Sequence, residues 1–567
     1  MKTLTCALGV LMAALCHAAG FPLAGGDIAS NGADGWNGAK PGSGEEAKFT
    51  QAGTYTASGN VTFGSVNFAS DGLVFDLRSG NRTVTLDGAT PIVGPTVANA
   101  TTQLKGGSWS GTGMTFKFSQ GTGIGERYSL LISDGAVITD AGTLSLGFGL
   151  KNNSVILTGA SEIHADTILL HQWGNTGTKL DVGDGSKVYA TGAFMMQQNG
   201  TGSYFSGNHL VDVHGVGSLL QIGADLNFGQ YNSDNVVRIR DGAILSVEST
   251  GVKMAGGGRH LLEVLNGATA TVRETAVTTC DNRIVVSNAT YTVSSSFKLG
   301  NTSAVTGNVV TVTGAAAAFN WAGNVFGAGS GNVFELSDGA KWRMGGANVT
   351  LFTDGVTNNV LRVTGGAVLE NVANPAGDKN FYIGSENETK GGNTVEILDG
   401  ANVNVERFFV HGVGNRVVVS NATLRAYSTG GYGLWLGRGS NSSDNTLVVC
   451  GATPSVNLNG CTLANGSTIR FEVPKDGYAA DHVPVTTRAL SPTSTLTEKF
   501  EIDCAAWATN PNAVRKLVLM RTTTDIASAT ADWILAQNSG LPESIRLKVT
   551  DREVILQKRD GFILSFR

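Results

Sequence analysis

The chain has 567 residues, with 77 Gly, 11 Pro, 41% hydrophobic and 15% charged residues and a formal net charge of −5. Apolar residues this abundant and regularly spaced exclude a disordered polymer, and the lack of a basic excess argues against nucleic acid as a partner. A glycine-rich, proline-poor composition with much Thr, Ser, Asn and Val suits many short strands joined by tight turns.

Met1 and Lys2 supply a positive start, residues 4–16 form an apolar run, and Cys16-His17-Ala18 leads into Ala19 as a small-residue exit. Residues 1–19 therefore read as a secretory signal peptide, too short to span a bilayer. Leu15, directly before Cys16, argues against a lipoprotein signal. No later stretch is apolar and long enough for a membrane helix, so the expected location is secreted, extracellular or at the cell surface, with the periplasm as the alternative. Beyond the signal lie Cys280, Cys450, Cys461 and Cys504, none in a CxxC pair or beside metal-spaced histidines. Cys450 and Cys461 are the nearest possible disulfide partners, while buried free thiols remain the other reading. No metal or cofactor is expected.

Residues 20–48, rich in Gly, Ala and Asp, read as a loose leader. Residues 49–473 read as one repeat domain, opening with the glycine-broken alternation of 53–68. A short unit then recurs, seen in Asn332-Val-Phe-Glu-Leu-Ser-Asp-Gly-Ala340 and Asn393-Thr-Val-Glu-Ile-Leu-Asp-Gly-Ala401. Its Asn is Asn153, Asn235, Asn282, Asn308, Asn332, Asn359, Asn393, Asn415 or Asn445, with Tyr128, Thr178 and His260 substituting elsewhere. Two apolar residues follow at alternate places, such as Val237/Ile239 and Leu361/Val363, so one face is buried and the other solvated. A Gly-Ala or Asn-Ala corner closes the unit, its Ala at Ala136, Ala160, Ala243, Ala268, Ala289, Ala315, Ala340, Ala367, Ala401, Ala422 and Ala452, with Ser186 once. The copy around 208–218 is blurred, because Asp212 takes an expected apolar place after Asn208.

Each repeat also carries a strand before the Asn and another after the Ala. Three strands in about 25 residues describe one coil of a solenoid, which buries its apolar residues only by stacking on its neighbours. The expected fold is all-β, a right-handed parallel β-helix. Stacked Asn side chains form a ladder at one corner, and left-handed backbone is expected where Gly or Asn precedes Ala. Residues 474–567 bring in prolines and charges and read as a small mixed C-terminal cap. Within it, 524–537 is a candidate helix and 545–557 a pair of strands around a Thr-Asp-Arg-Glu turn.

The 54–68 opening and the Asn-x-Val-x-Val-x-x-Gly-Ala coils resemble the passenger-type β-strand repeats of bacterial autotransporters. More broadly they resemble the pectin-lyase-like right-handed parallel β-helix. The resemblance covers about residues 50–470 and implies the fold. Autotransporters end in a translocating barrel of long alternating strands, for which 474–567 is too short.

The same resemblance calls for a test of carbohydrate chemistry. Val213-His-Gly-Val-Gly217 with Arg238-Ile-Arg240 is similar to the Gly-His-Gly and Arg-Ile-Lys elements of pectin-hydrolysing members, but the upstream acid pairs are missing. Inverting hydrolysis needs two carboxyl groups flanking the bond, so His214, and likewise His411 in Val410-His-Gly-Val-Gly414, are expected to be coil corners. Asp134, Asp241, Asp338 and Asp399 precede corner glycines and are expected to be turn residues. No catalytic residue is assigned.

The remaining ligand signal is aromatic. Tyr231, Tyr382, Tyr432 and Trp435 lie at or near the variable polar connectors, with Trp173 beside another. The expected function is a secreted, non-enzymatic surface, matrix or adhesion role, with glycans or extracellular matrix as partners. A carbohydrate-active enzyme and a ligand-free spacer are the alternatives.

Overall fold

The computed structural model describes residues 19–559 other than 22, 31–35, 38, 89–91, 96–98, 118–126, 149–151, 171–175, 197–206, 230–232, 301, 324, 327–328, 346–347, 354, 372–379, 387, 429–432, 480 and 494–496. The sequence-predicted signal peptide lies outside these residues up to Ala18. Stacked parallel strands form a right-handed β-solenoid of about 15 turns, roughly 26 residues each. Two compact units divide the chain, residues 1–273 and 274–567.

In the first unit the coils are built as the repeat demands. Strands Lys179–Val182, Lys187–Ala190 and Phe194–Met195 make one coil, and each pairs in parallel with its counterpart in the next: Leu180↔Val211, Val188↔Leu220 and Phe194↔Leu226. Val155, Leu180, Val211, Val237 and Leu262 are all fully buried and sit one above another. Burying such side chains contributes about 1.5–3 kcal/mol each, which is what holds coils together that have no stable core alone.

The expected loose leader is instead folded. Ala19–Phe21 pairs in parallel with Glu46–Phe49, which in turn pairs with Ser65–Phe68. Phe21 and Trp36 are buried against Phe49 and Tyr55, with Phe21–Trp36 ring centroids 4.9 Å apart and edge-to-face. These aromatics cover the apolar end of the first coil, a task that glycine-rich composition concealed. The blurred copy is also resolved by register. Leu210–His214 buries Val211 and Val213 and turns Asp212 to the outer face, so the residue in the Asn place is His209, not Asn208.

In the second unit the core column runs Phe334, Leu361, Val395, Val417, Leu447, Ile469 and Phe500 through successive parallel pairings. Parallel coils therefore continue past residue 473, through Val485–Thr487, Leu490–Pro492 and Lys499–Asp503. Proline and charge hid this coil, because its outer face is polar, Pro484 precedes one of its strands and Pro492 ends another. Beyond it, Lys516–Thr522 pairs in parallel with that coil and antiparallel with Glu553–Lys558, which pairs antiparallel with Ile545–Val549. Helix Ser528–Gln537 lies beside them, with Trp533 and Ile534 buried.

Many corners carry two consecutive left-handed residues, as in Asp338-Gly339 (φ 54° and 77°) and Asp399-Gly400 (φ 49° and 78°), while those at Asn288 and Asn421 carry one. Asp and Asn tolerate this conformation through local hydrogen bonding, and Gly adopts it without a Cβ penalty. The following Ala is buried in Ala136, Ala243, Ala340, Ala367 and Ala401. Three corners are built differently. Ala160, Ala315 and Ala452 are exposed, and Ser161, Ala317 and Pro454 take the inward place.

Candidate functional site

The Asn corner is the most regular polar feature. Each rung from Asn308 to Asn445 accepts on Oδ1 the backbone N–H of the equivalent residue one coil earlier. The distances are 2.8 Å for Asn282 to Asn308, 2.9 Å for Asn308 to Asn332 and Asn332 to Asn359, 3.1 Å for Asn359 to Asn393, and 2.9 Å for Asn393 to Asn415 and Asn415 to Asn445. Asn282, Asn359, Asn393 and Asn415 also donate Nδ2–H to the same oxygen. The ladder thus runs side chain to backbone as well as amide to amide. In the first unit His209 Nδ1 accepts from Thr178 N–H, Asn235 Oδ1 from His209 N–H, and His260 Nδ1 from Asn235 N–H. Asn153 is fully buried in the same column. These groups are buried and bond chiefly to neighbouring coils, so they are not presented to a ligand at the surface.

The aromatic residues divide. Tyr231 and Tyr432 lie outside the described residues, as does Trp173. Tyr382, Phe409 and Trp435 share one outward row on successive coils. Tyr382 stacks on Phe409 at 5.0 Å, and the Arg438 guanidinium lies 5.1 Å from the ring centroids of both Phe409 and Trp435. Glu386 holds Arg438 at 2.8 Å, and His411 packs edge-on against Tyr382 and Phe409. Burial, reinforced by Arg438, holds the His411 imidazole down to about 4. Ring faces are taken by neighbours in this row, leaving edges outward, so Tyr382 and Trp435 serve packing before recognition.

A charged patch surrounds His214, the last residue of its strand. His214 Nε2–H donates to Asp181 at 2.7 Å, Lys179 reaches Asp181 at 2.5 Å, Arg240 grips Asp212 with two bonds of 3.0 and 3.2 Å, and Arg238 pairs with Glu263 at 2.6 Å. Burial raises the Asp181 carboxyl, but the bonds from Lys179 and His214 outweigh it and hold it below the ordinary range. A glycosidic general acid needs a carboxyl shifted the other way. The patch is a set of polar and ionic pairs within and between neighbouring strands. Among the described residues, no group of three or more His, Cys, Asp or Glu side chains is placed to hold a metal, and Cys280, Cys450, Cys461 and Cys504 are free thiols.

Sequence reading missed a furrow in the second unit. Leu424 and Ala426 face the core, so Arg425 and Tyr427 point out. Tyr427 is 56% exposed, and the Arg425 guanidinium lies 5.5 Å from its ring centroid. Asn457, Asn459, Thr486, Thr487, Arg488 and Thr523 continue the lining over an open volume of about 460 Å³. Strand pairings Arg425↔Asn457 and Asn457↔Thr486 put these residues on three adjacent strands. The signal was available in the alternation of Leu424-Arg-Ala-Tyr427, but this combination has no counterpart in the other repeats.

The chain matched no protein-family model, no curated protein and no solved structure.

Proposed function

We propose that this protein is a secreted, non-enzymatic β-solenoid with a surface, matrix or adhesion role, and that it holds a glycan along the outer face of its coils. The observation that carries this reading is the furrow of Arg425, Tyr427, Asn457, Thr486 and Arg488, shallow and crossing several strands. Enclosed, mostly apolar clefts suit small substrates. An open polar furrow with one exposed ring suits an extended polymer of hydroxyl-rich units. Export is supported by the charged start and apolar run of residues 1–19.

The test is a glycan-array screen of the mature chain, followed by assay of released reducing ends on every glycan bound. Binding without chain cleavage is expected. Release of reducing ends that disappears in His214→Ala would replace this reading with the carbohydrate-active alternative, whose support is the closeness of His214, Asp181 and Asp212. An array with no binding partner would leave the protein a spacer.

A further inference from the structure

We infer that the furrow at Arg425, Tyr427 and Arg488 is a binding site for an oxyanion-bearing saccharide, a sugar chain carrying sulfate, phosphate or carboxylate groups; this rests on the glycan-binding reading above. Several arginines of the outer rows are neutralised on the spot. Arg343 meets Glu370 at 3.0 Å, Arg362 lies between Glu335 and Glu396, and Arg521, near the same furrow, meets Glu553 at 2.9 Å. Among the described residues Arg425 and Arg488 form no ion pair, as is also true of Arg283 and Arg416, but Arg425 and Arg488 border one furrow, and the one side-chain partner of Arg425 is the Tyr427 ring. Both are exposed.

The spacing selects a polymer. Arg425 belongs to Thr423–Ala426 and Arg488 directly follows Val485–Thr487, two strands further along the stack. Arg488 also lies two residues beyond Thr486, the residue in register with Arg425, so their backbones stand roughly 12 Å apart. Two guanidinium groups at that separation meet oxyanions on different units of a chain, each through a planar fork that matches a carboxylate, sulfate or phosphate. Between them, Asn457 and Thr486 present amide and hydroxyl groups suited to sugar hydroxyls, already oriented by the Thr486 Oγ1–H bond to Asn457 Oδ1 at 2.5 Å. Tyr427 supplies the apolar face. Its ring is covered on one side by Arg425, which leaves the other for a sugar ring. A nucleic acid is a poorer fit, since two guanidinium groups on a chain of net charge −5 give no basic track for a phosphate at every unit.

The experiment uses the full mature chain and three variants: Arg425→Gln with Arg488→Gln, Tyr427→Ala, and Arg343→Gln as a charge control elsewhere on the coils. Probes are heparin, a phosphorylated mannan, polygalacturonate, neutral dextran and single-stranded oligo-dT, titrated by calorimetry at two salt concentrations. At least one anionic glycan is expected to bind, and the probe that binds tells sulfate from phosphate from carboxylate. The double arginine variant is expected to weaken it at least about tenfold and to flatten its salt dependence, by loss of two charge-assisted contacts. Tyr427→Ala is expected to weaken binding with the salt dependence kept, and Arg343→Gln to leave it unchanged. Anionic binding that survives the double variant overturns the inference, as does oligo-dT binding as tightly as the best glycan. Dextran binding that is lost in Tyr427→Ala, with no preference for anionic chains, overturns the oxyanion while leaving the glycan reading standing. No binding to any probe overturns both.

Discussion

Replacing His260 by asparagine probes the ladder where its rung departs from the repeat. His260 is fully buried, its Nε2–H donates to Ala255 O at 2.8 Å, and its Nδ1 accepts Asn235 N–H at 3.4 Å. These two neighbours require the neutral ring, since a proton on Nδ1 would set donor against donor. Burial is the main reason the imidazole is pulled from 6.5 down to about 4; Arg259 adds to it and Asp234 opposes it. Between those values the unfolded chain binds a proton that the folded coil refuses. Stability from this site is therefore complete above pH 6.5 and is lost as pH falls toward 4. The linkage amounts to about 2–3 kcal/mol at pH 4.5. Asparagine keeps an acceptor for Asn235 N–H and does not titrate. His260→Asn is expected to lie within about 1 kcal/mol of the parent at pH 7.5 and to exceed it by about 2 kcal/mol or more at pH 4.5. Urea midpoints of both proteins at both pH values measure this, and the acid sensitivity of His411, shared by both, cancels in the difference. Parallel pH profiles for the two proteins, or a His260 ring titrating near 6.5 in histidine-selective NMR, would refute the reasoning.

Asn359→Ala removes the acceptor of Asn332 N–H and one donor to Asn393, and is expected to cost about 2–3 kcal/mol in urea unfolding. His209→Ala is expected to destabilise by about 1–3 kcal/mol, because it strands Thr178 N–H, whereas Asn208→Gly, at an exposed left-handed position, is expected to stay within about 0.5 kcal/mol. Trp342→Ala empties a fully buried site stacked on Phe334 at 4.3 Å and is expected to cost about 3–5 kcal/mol, more than Trp435→Ala in its half-exposed row. Burial pushes the Cys461 thiol up to about 12, so iodoacetamide at pH 8 is expected to modify the half-buried Cys280 in the native protein and to leave Cys461 unreacted until urea unfolds it.

The core was legible because it repeats. Val237 and Ile239, Leu361 and Val363, and their counterparts solve the same packing problem in every coil, so a single period exposes them together with the Asn rungs beside them. Misreadings fell where a coil solves the problem with different residues. His209 accepts the rung bond through a ring nitrogen where its neighbours use an amide oxygen, so the pattern slid by one onto Asn208 and made Asp212 look like a core defect. Phe21 and Trp36 close an end, a task no interior coil has, and in the final parallel coil Pro484 precedes one strand and Pro492 ends another, where the others carry Gly and Asn.

That asymmetry bears directly on where recognition resides. A residue that recurs in every coil is held there by stacking, and its hydrogen bonds are spent on the coils before and after it, as the Asn rungs and the Tyr382–Phe409–Trp435 row show. A ligand needs groups whose capacity is left over, and those arise where one coil breaks the register of charges along a row. Arg425 follows Asn404 and precedes Asn457 in its row, so no carboxylate on either adjacent strand faces it there, whereas Arg362 sits between Glu335 and Glu396 in its own. The same physics that makes the fold easy to read in the repeat makes the proposed binding furrow visible only once the strands are placed side by side.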